Sequence, residues 1–204
     1  MKLRSILPLL AVAFVLVLSA IAVVATFGLG QRPGTTARDA GVADIGGPFR
    51  MLDQKGSAVT EADLLGKPTV IFFGFTFCPE VCPTTLHELT TAIQELGPDA
   101  DRLNFVFVSV DPERDTPEQL ALYLSAFDPR IRGFTGTQEQ VDGIAKAYRV
   151  YHRRVPTGDG SYTMDHTATV YLMDADGRFS GTIAYAENRD TALGKLRRLA
   201  GLRA

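Results

Sequence analysis

Cysteine is scarce in this chain: two in 204 residues, and none before Cys78. A lipidated N-terminal cysteine of the lipoprotein type is therefore excluded. Excess charge of one sign is also missing, with 21 basic against 23 acidic residues and no basic block beyond Arg153-Arg154 and Arg197-Arg198. Nucleic acid is accordingly not an expected partner. A third absence is local, because residues 6–27 carry no charge at all.

That uncharged stretch is apolar, follows Lys2 and Arg4, and is long enough to cross a bilayer as a helix. Positive charge stays on the cytoplasmic side, so a single-pass inner (cytoplasmic) membrane protein is expected, with its soluble part on the periplasmic or extracytoplasmic side. A cleaved signal peptide is the rival reading, with Ala20-Ile21-Ala22 as the cleavage site, but the apolar run continues to Phe27 and favours a retained anchor. The expected organisation is a cytoplasmic tip and anchor over 1–29, a flexible linker over 30–47, and one domain over 48–204. Its length, about 155 residues, suffices for a real hydrophobic core.

The two cysteines stand four positions apart in Phe73-Gly74-Phe75-Thr76-Phe77-Cys78-Pro79-Glu80-Val81-Cys82-Pro83. A pair so placed is either redox chemistry or half of a metal site. Outside the cytoplasm free thiols oxidise unless a metal, a reductant or a partner holds them. A purely structural disulfide is the bland alternative, yet it would close too small a loop to restrain the unfolded chain.

Hydrophobic patterning gives strands alternating with helices. Residues 49–52 and 57–60 flank Asp53-Gln54-Lys55-Gly56 as a hairpin, and 69–75 is an unbroken apolar run typical of a central strand. Leu86, Leu89, Ile93 and Leu96 fall at helical spacing up to Gly97-Pro98. A second buried strand is expected over 103–110, a helix from the Thr116-Pro117-Glu118-Gln119 start signal to about 127, and another after Thr137-Gln138-Glu139-Gln140. A hairpin over 168–173 and 178–184 and a closing helix over 189–199 complete the domain. This order predicts an α/β fold, a central mixed β-sheet flanked by helices. The cysteines fall where the first central strand gives way to its helix, the end of an open sheet at which ligands collect. Pro83 suits the first helical position, which makes Cys82 the helix cap and predicts that free backbone N–H groups favour the Cys82 thiolate.

The cysteine block, followed by Val108-Ser109-Val110-Asp111-Pro112-Glu113-Arg114-Asp115-Thr116-Pro117 and by Asp165-His166-Thr167-Ala168, resembles the Sco/SenC/PrrC family of copper-binding, thioredoxin-like proteins. All three blocks occur in the family's order, and the likeness runs from about Ile45 to the C-terminus. The resemblance implies a thioredoxin-like fold and copper, as Cu(I) or Cu(II), held by Cys78, Cys82 and His166. It also implies a role in building the dinuclear copper site of cytochrome c oxidase. The expected partners are then the oxidase subunit carrying that site, an upstream copper donor and a thiol reductant. A metallochaperone is expected rather than an enzyme. The alternative is a membrane-anchored thiol-disulfide oxidoreductase using Cys78 and Cys82 on the oxidase cysteines.

The residues support this ligand set without dictating it. Thiolates suit soft Cu(I), and an added imidazole also accommodates Cu(II). His87, in the helix after Cys82, reads as a solvated helix residue, and His152, beside Arg153 and Arg154, as a solvated loop residue. His166 reads equally as a ligand or as a structural histidine until the resemblance chooses between them. Asp111 and Asp165 are candidates for orienting a ligand, with turn formation as the plainer role. Met164 reads as core packing rather than an extra thioether ligand. A peroxiredoxin-like peroxidase is disfavoured, because such enzymes place threonine three residues before the reactive cysteine and here Phe75 and Pro79 stand there.

Overall fold

A computed structural model describes residues 45–202 of the chain. The expected anchor over 6–27 and most of the linker lie outside the described residues. Among the described residues no helix is long and apolar enough to cross a membrane. At the domain's entrance Gly46 N donates to the Ala147 carbonyl at 2.9 Å, so the chain joins the domain before residue 48.

Nine strands occur among the described residues: β1 (Arg50–Asp53), β2 (Ala58–Thr60), β3 (Thr69–Gly74), β4 (Asn104–Ser109), β5 (Ile131–Thr135), β6 (His152–Pro156), β7 (Tyr162–His166), β8 (Val170–Met173) and β9 (Phe179–Ile183). The α-helices there are α1 (Val81–Leu96), α2 (Pro117–Leu124), α3 (Gln138–Ala147) and α4 (Arg189–Leu199). Seven strands form one sheet in the order β2-β1-β5-β4-β3-β8-β9, and β6 and β7 form a separate two-stranded sheet. The centre, β3-β4-β5, is parallel, while β1 and β8 join it antiparallel. The sheet is thus mixed, as expected.

All six residues of β3 are buried, so both faces of the central strand are covered, as its unbroken apolar run requires. Phe72, Phe73, Phe105 and Phe107 from the two central strands fill the core with Leu86 and Ile93 of α1. Gly74 pairs with Ser109 at the carboxyl ends of β3 and β4, which places the loops after the two strands side by side.

Three local expectations are corrected. Helix α1 starts at Val81, with Glu80 as its cap, so Cys82 lies inside the first turn. Pro83 remains tolerable because the first N–H groups of a helix have no partner within it. Helix α2 ends at Leu124 rather than near 127, and Thr116 Oγ1 accepts from Gln119 N without the reciprocal half of a capping box. His152 sits in strand β6, not a loop, with its side chain largely enclosed and Nε2 3.3 Å from Asp142.

Candidate metal centre

The loop from β3 to α1 delivers both cysteines. Phe75 is buried behind it, Phe77 stands exposed, and Cys78 N donates to the Phe75 carbonyl at 3.3 Å, closing a turn that leaves Cys78 half-buried. Cys82 is fully buried against the sheet. This close approach needs Gly74, since a Cβ there would lie 2.7 Å from Cys82 Sγ and 2.8 Å from the Phe107 ring.

Asp115 fixes the root of the loop. Its carboxylate accepts from Thr76 N at 3.0 Å, Thr76 Oγ1 at 2.6 Å and Ser109 Oγ at 2.6 Å, stapling the ends of β3 and β4. Burial pushes this carboxyl above the usual range, and the three donors pull it back toward ionisation.

His166 arrives from the end of β7. Its Nδ1 is 3.0 Å from the Thr167 carbonyl, which can only accept, so Nδ1 carries the hydrogen and the Nε2 lone pair is free. That Nε2 lies 3.4 Å from Cys82 Sγ, across 84 positions of sequence. The imidazole is held edge-on against Phe75, at 5.7 Å and 87°.

Cys78 Sγ, Cys82 Sγ and an imidazole nitrogen of His166 all lie within 4.8 Å of one another. The thiols are unequal. Cys82 N donates to Cys78 Sγ at 3.3 Å. The Cys82 side chain foremost, together with this N–H, brings the Cys78 thiol down to about 4 against the cost of its burial. Hydrogen bonding to Cys78 and burial push the Cys82 thiol up. Helix-terminal N–H groups do favour a thiolate, but the sulfur they reach is Cys78, not Cys82 as expected from the sequence. Two sulfurs so close share one proton, and the buried one keeps it.

Asp111 is buried and its carboxylate is taken up by other partners: Oδ1 accepts from the Tyr162 hydroxyl at 2.8 Å and Oδ2 pairs with Arg114 Nε at 2.5 Å. Asp165 is not brought to the centre. Strand alternation turns it opposite to His166, where it is exposed and pairs with Arg153 at 2.9 Å. Met164 packs against the core, and His87 is exposed on α1. Sequence reasoning did not single out Arg114, Asp115 or Tyr162, although the first two lie within the second motif.

A family model described as SCO1/SenC matches residues 37–201. The chain belongs to the SCO1/SenC family. Relatives include the mitochondrial protein SCO1 homolog of Homo sapiens, 43% identical over 141 residues, which are 66% of this chain and 46% of that protein. Protein SenC of Rhodobacter capsulatus is 39% identical over 132 residues, 65% of this chain and 60% of that protein. This SCO1/SenC chain spans a little under half the length of its Arabidopsis thaliana and human relatives, at 45% and 46%. Among solved structures, Bradyrhizobium japonicum ScoI with copper bound is 51% identical with a TM-score of 0.72, covering 76% of this chain and 99% of that one.

Proposed function

We propose that this domain binds one copper ion through Cys78, Cys82 and His166 and passes it to the dinuclear copper site of cytochrome c oxidase, outside the cytoplasm and tethered by residues 6–27. The observation that carries the reading is the convergence of two sulfurs and an imidazole nitrogen within 4.8 Å. Bonds of about 2.0–2.3 Å hold two ligand atoms at most about 4.6 Å apart, so donors within 4.8 Å need only small side-chain adjustments to close on one ion, and two thiolates with one imidazole suit both copper oxidation states. The copper-bound structure of ScoI, at 51% identity, supports it.

Copper is cargo here, and the residues are arranged for loading and release. Cys78 already carries negative charge and faces solvent on one side, so it meets an incoming ion or thiol first. Cys82 gives up its proton as the ion binds, and His166 is preset with its Nε2 lone pair free. An upstream donor supplies the ion and a thiol reductant keeps both sulfurs unbridged. Loaded protein mixed with an apo oxidase copper domain should transfer copper, followed by visible absorption. Cys78→Ala and Cys82→Ala should each weaken binding of one copper per chain in either oxidation state by about tenfold or more, and His166→Ala should weaken binding of Cu(II) to the same extent. Unchanged Cu(II) affinity in the His166 variant would remove the three-ligand reading.

One observation favours a second activity, thiol-disulfide exchange. A half-exposed Cys78 thiolate beside a buried, protonated Cys82 is the asymmetry of an attacking and a resolving thiol. Cys78 would attack a partner disulfide and Cys82 would displace the partner, leaving a Cys78–Cys82 bridge and a reduced partner dithiol. Reduction that persists in His166→Ala, without copper transfer, supports this reading over the first.

A further inference from the structure

The cysteines follow strand β3 of the seven-stranded sheet and His166 ends strand β7 of the separate pair, and among the described residues no strand pairing joins these two sheets. His166 is restrained on one side by β8, four residues on. The rest of the β6-β7 hairpin is reached by side chains, from Asp142 of α3 at His152 and from the loop after β4 at Tyr162 and Arg154.

We infer that Arg114 is a positioning residue that sets the gap between the cysteine and histidine halves of the centre. Its Nε pairs with Asp111 Oδ2, and its Nη1 donates to the Tyr162 carbonyl at 2.9 Å, gripping β7 at its first residue. The guanidinium carbon lies 3.8 Å from the centre of the Tyr162 ring and 4.7 Å from that of Phe77, the residue before Cys78. It also lies 5.8 Å from the Phe75 ring, whose edge-on contact holds His166. One side chain therefore touches the cysteine loop, the ring against the histidine, and the histidine's strand. Around it, Asp111 Oδ1 accepts from the Tyr162 hydroxyl, and Arg154 covers the same ring at 3.5 Å while pairing with Glu113.

The geometry asks for arginine specifically. Nη2 is sealed from solvent with no hydrogen-bond acceptor, a state explained by the aromatic rings the guanidinium packs against. A lysine offers a point charge without the planar fork, and cannot hold Asp111, the Tyr162 carbonyl and the rings together.

The inference rests on the copper reading for its consequence. Two thiolates suffice for Cu(I), whereas Cu(II) draws on the imidazole. Loss of Arg114 should release His166 and so penalise Cu(II) selectively. Arg114→Lys and Arg114→Gln are prepared in the full chain beside the parent and His166→Ala, and titrated with Cu(I) and with Cu(II). Cu(II) affinity should fall by about tenfold or more, with the sulfur-to-copper absorption moving toward that of His166→Ala, while Cu(I) affinity changes by less than about threefold. In the metal-free variants amide exchange over 162–166 should speed by about tenfold, with 69–74 and 104–109 unchanged. Parental Cu(II) spectra, or Cu(I) and Cu(II) weakening together while exchange speeds everywhere, would overturn the inference. A parent that binds no copper refutes the copper reading, and exchange in the metal-free variants then still decides on Arg114. If Arg114→Gln fails to fold, Arg114→Lys carries the test.

Discussion

At the scale of single residues, the contact between the two cysteine side chains and their unequal burial decide which sulfur is reactive, and one backbone N–H adds to the bias. The Cys82 N–H belongs to the first turn of α1, where it has no helical partner, and it is spent on Cys78. With its thiol near 4, Cys78 is a thiolate throughout the neutral range, whereas the Cys82 thiol is pushed up and stays protonated. Alkylation of the reduced protein by iodoacetamide should therefore label Cys78 alone. Its rate should be flat between pH 6 and 8 and fall only as pH drops toward 4, whereas an ordinary thiol slows about tenfold per pH unit over that range. Peptide mapping that found both cysteines labelled, or a rate climbing steadily to pH 8, would contradict the shared proton. The sequence made the two cysteines legible as a reactive pair and the helix terminus legible as one cause. It could not show which sulfur benefits, because that turns on a start at Val81 rather than at Pro83, a shift of two residues that swaps the roles of cap and first turn.

Among elements, the join of β3 to α1 depends on a residue that contributes no side chain. Gly74→Ala would drive a methyl group into Cys82 Sγ and Phe107, both buried between sheet and helix. Destabilisation of about 1–3 kcal/mol is expected from urea unfolding, together with weaker copper binding as Cys82 is pushed off the sheet. A variant with parental stability and affinity would show that the helix shifts freely at this point. Strands β3, β4 and β8 and helix α4 were readable because apolar runs and helical spacing declare them. Strand β5 was not, since Arg132 and Gly133 break its pattern; there the glycine admits Leu124, whose methyl would lie 2.6 Å from a Cβ. The β6-β7 pair escaped for another reason: it is short, nowhere fully buried and rich in charge, so no apolar alternation marks it. Its position comes from side chains many residues away, which no local window contains.

For the whole molecule, the centre is a seam between a seven-stranded sheet and a small hairpin, and only one side of that seam is core. Metal-free protein should therefore show faster amide exchange over Tyr162–His166 than over Thr69–Gly74. Copper, by bonding across the seam, should slow the hairpin far more than the central strand. Uniform slowing, measured by mass spectrometry on peptides from both regions, would instead mark binding as general stabilisation. The mixed central sheet was legible from the alternation of strands and helices, but the seam was not: it depends on Asp111, Arg114 and Tyr162 meeting in space.

Cys82 is enclosed while Cys78 meets solvent, and this gives the centre a front and a back. In the proposed transfer, a thiol on an approaching protein would meet Cys78 before the enclosed Cys82. Exchange would then begin by displacing that sulfur, while Cys82 would hold the ion until the newcomer is bonded. The ion would never be free between the two proteins, and the order of bond breaking would follow from burial.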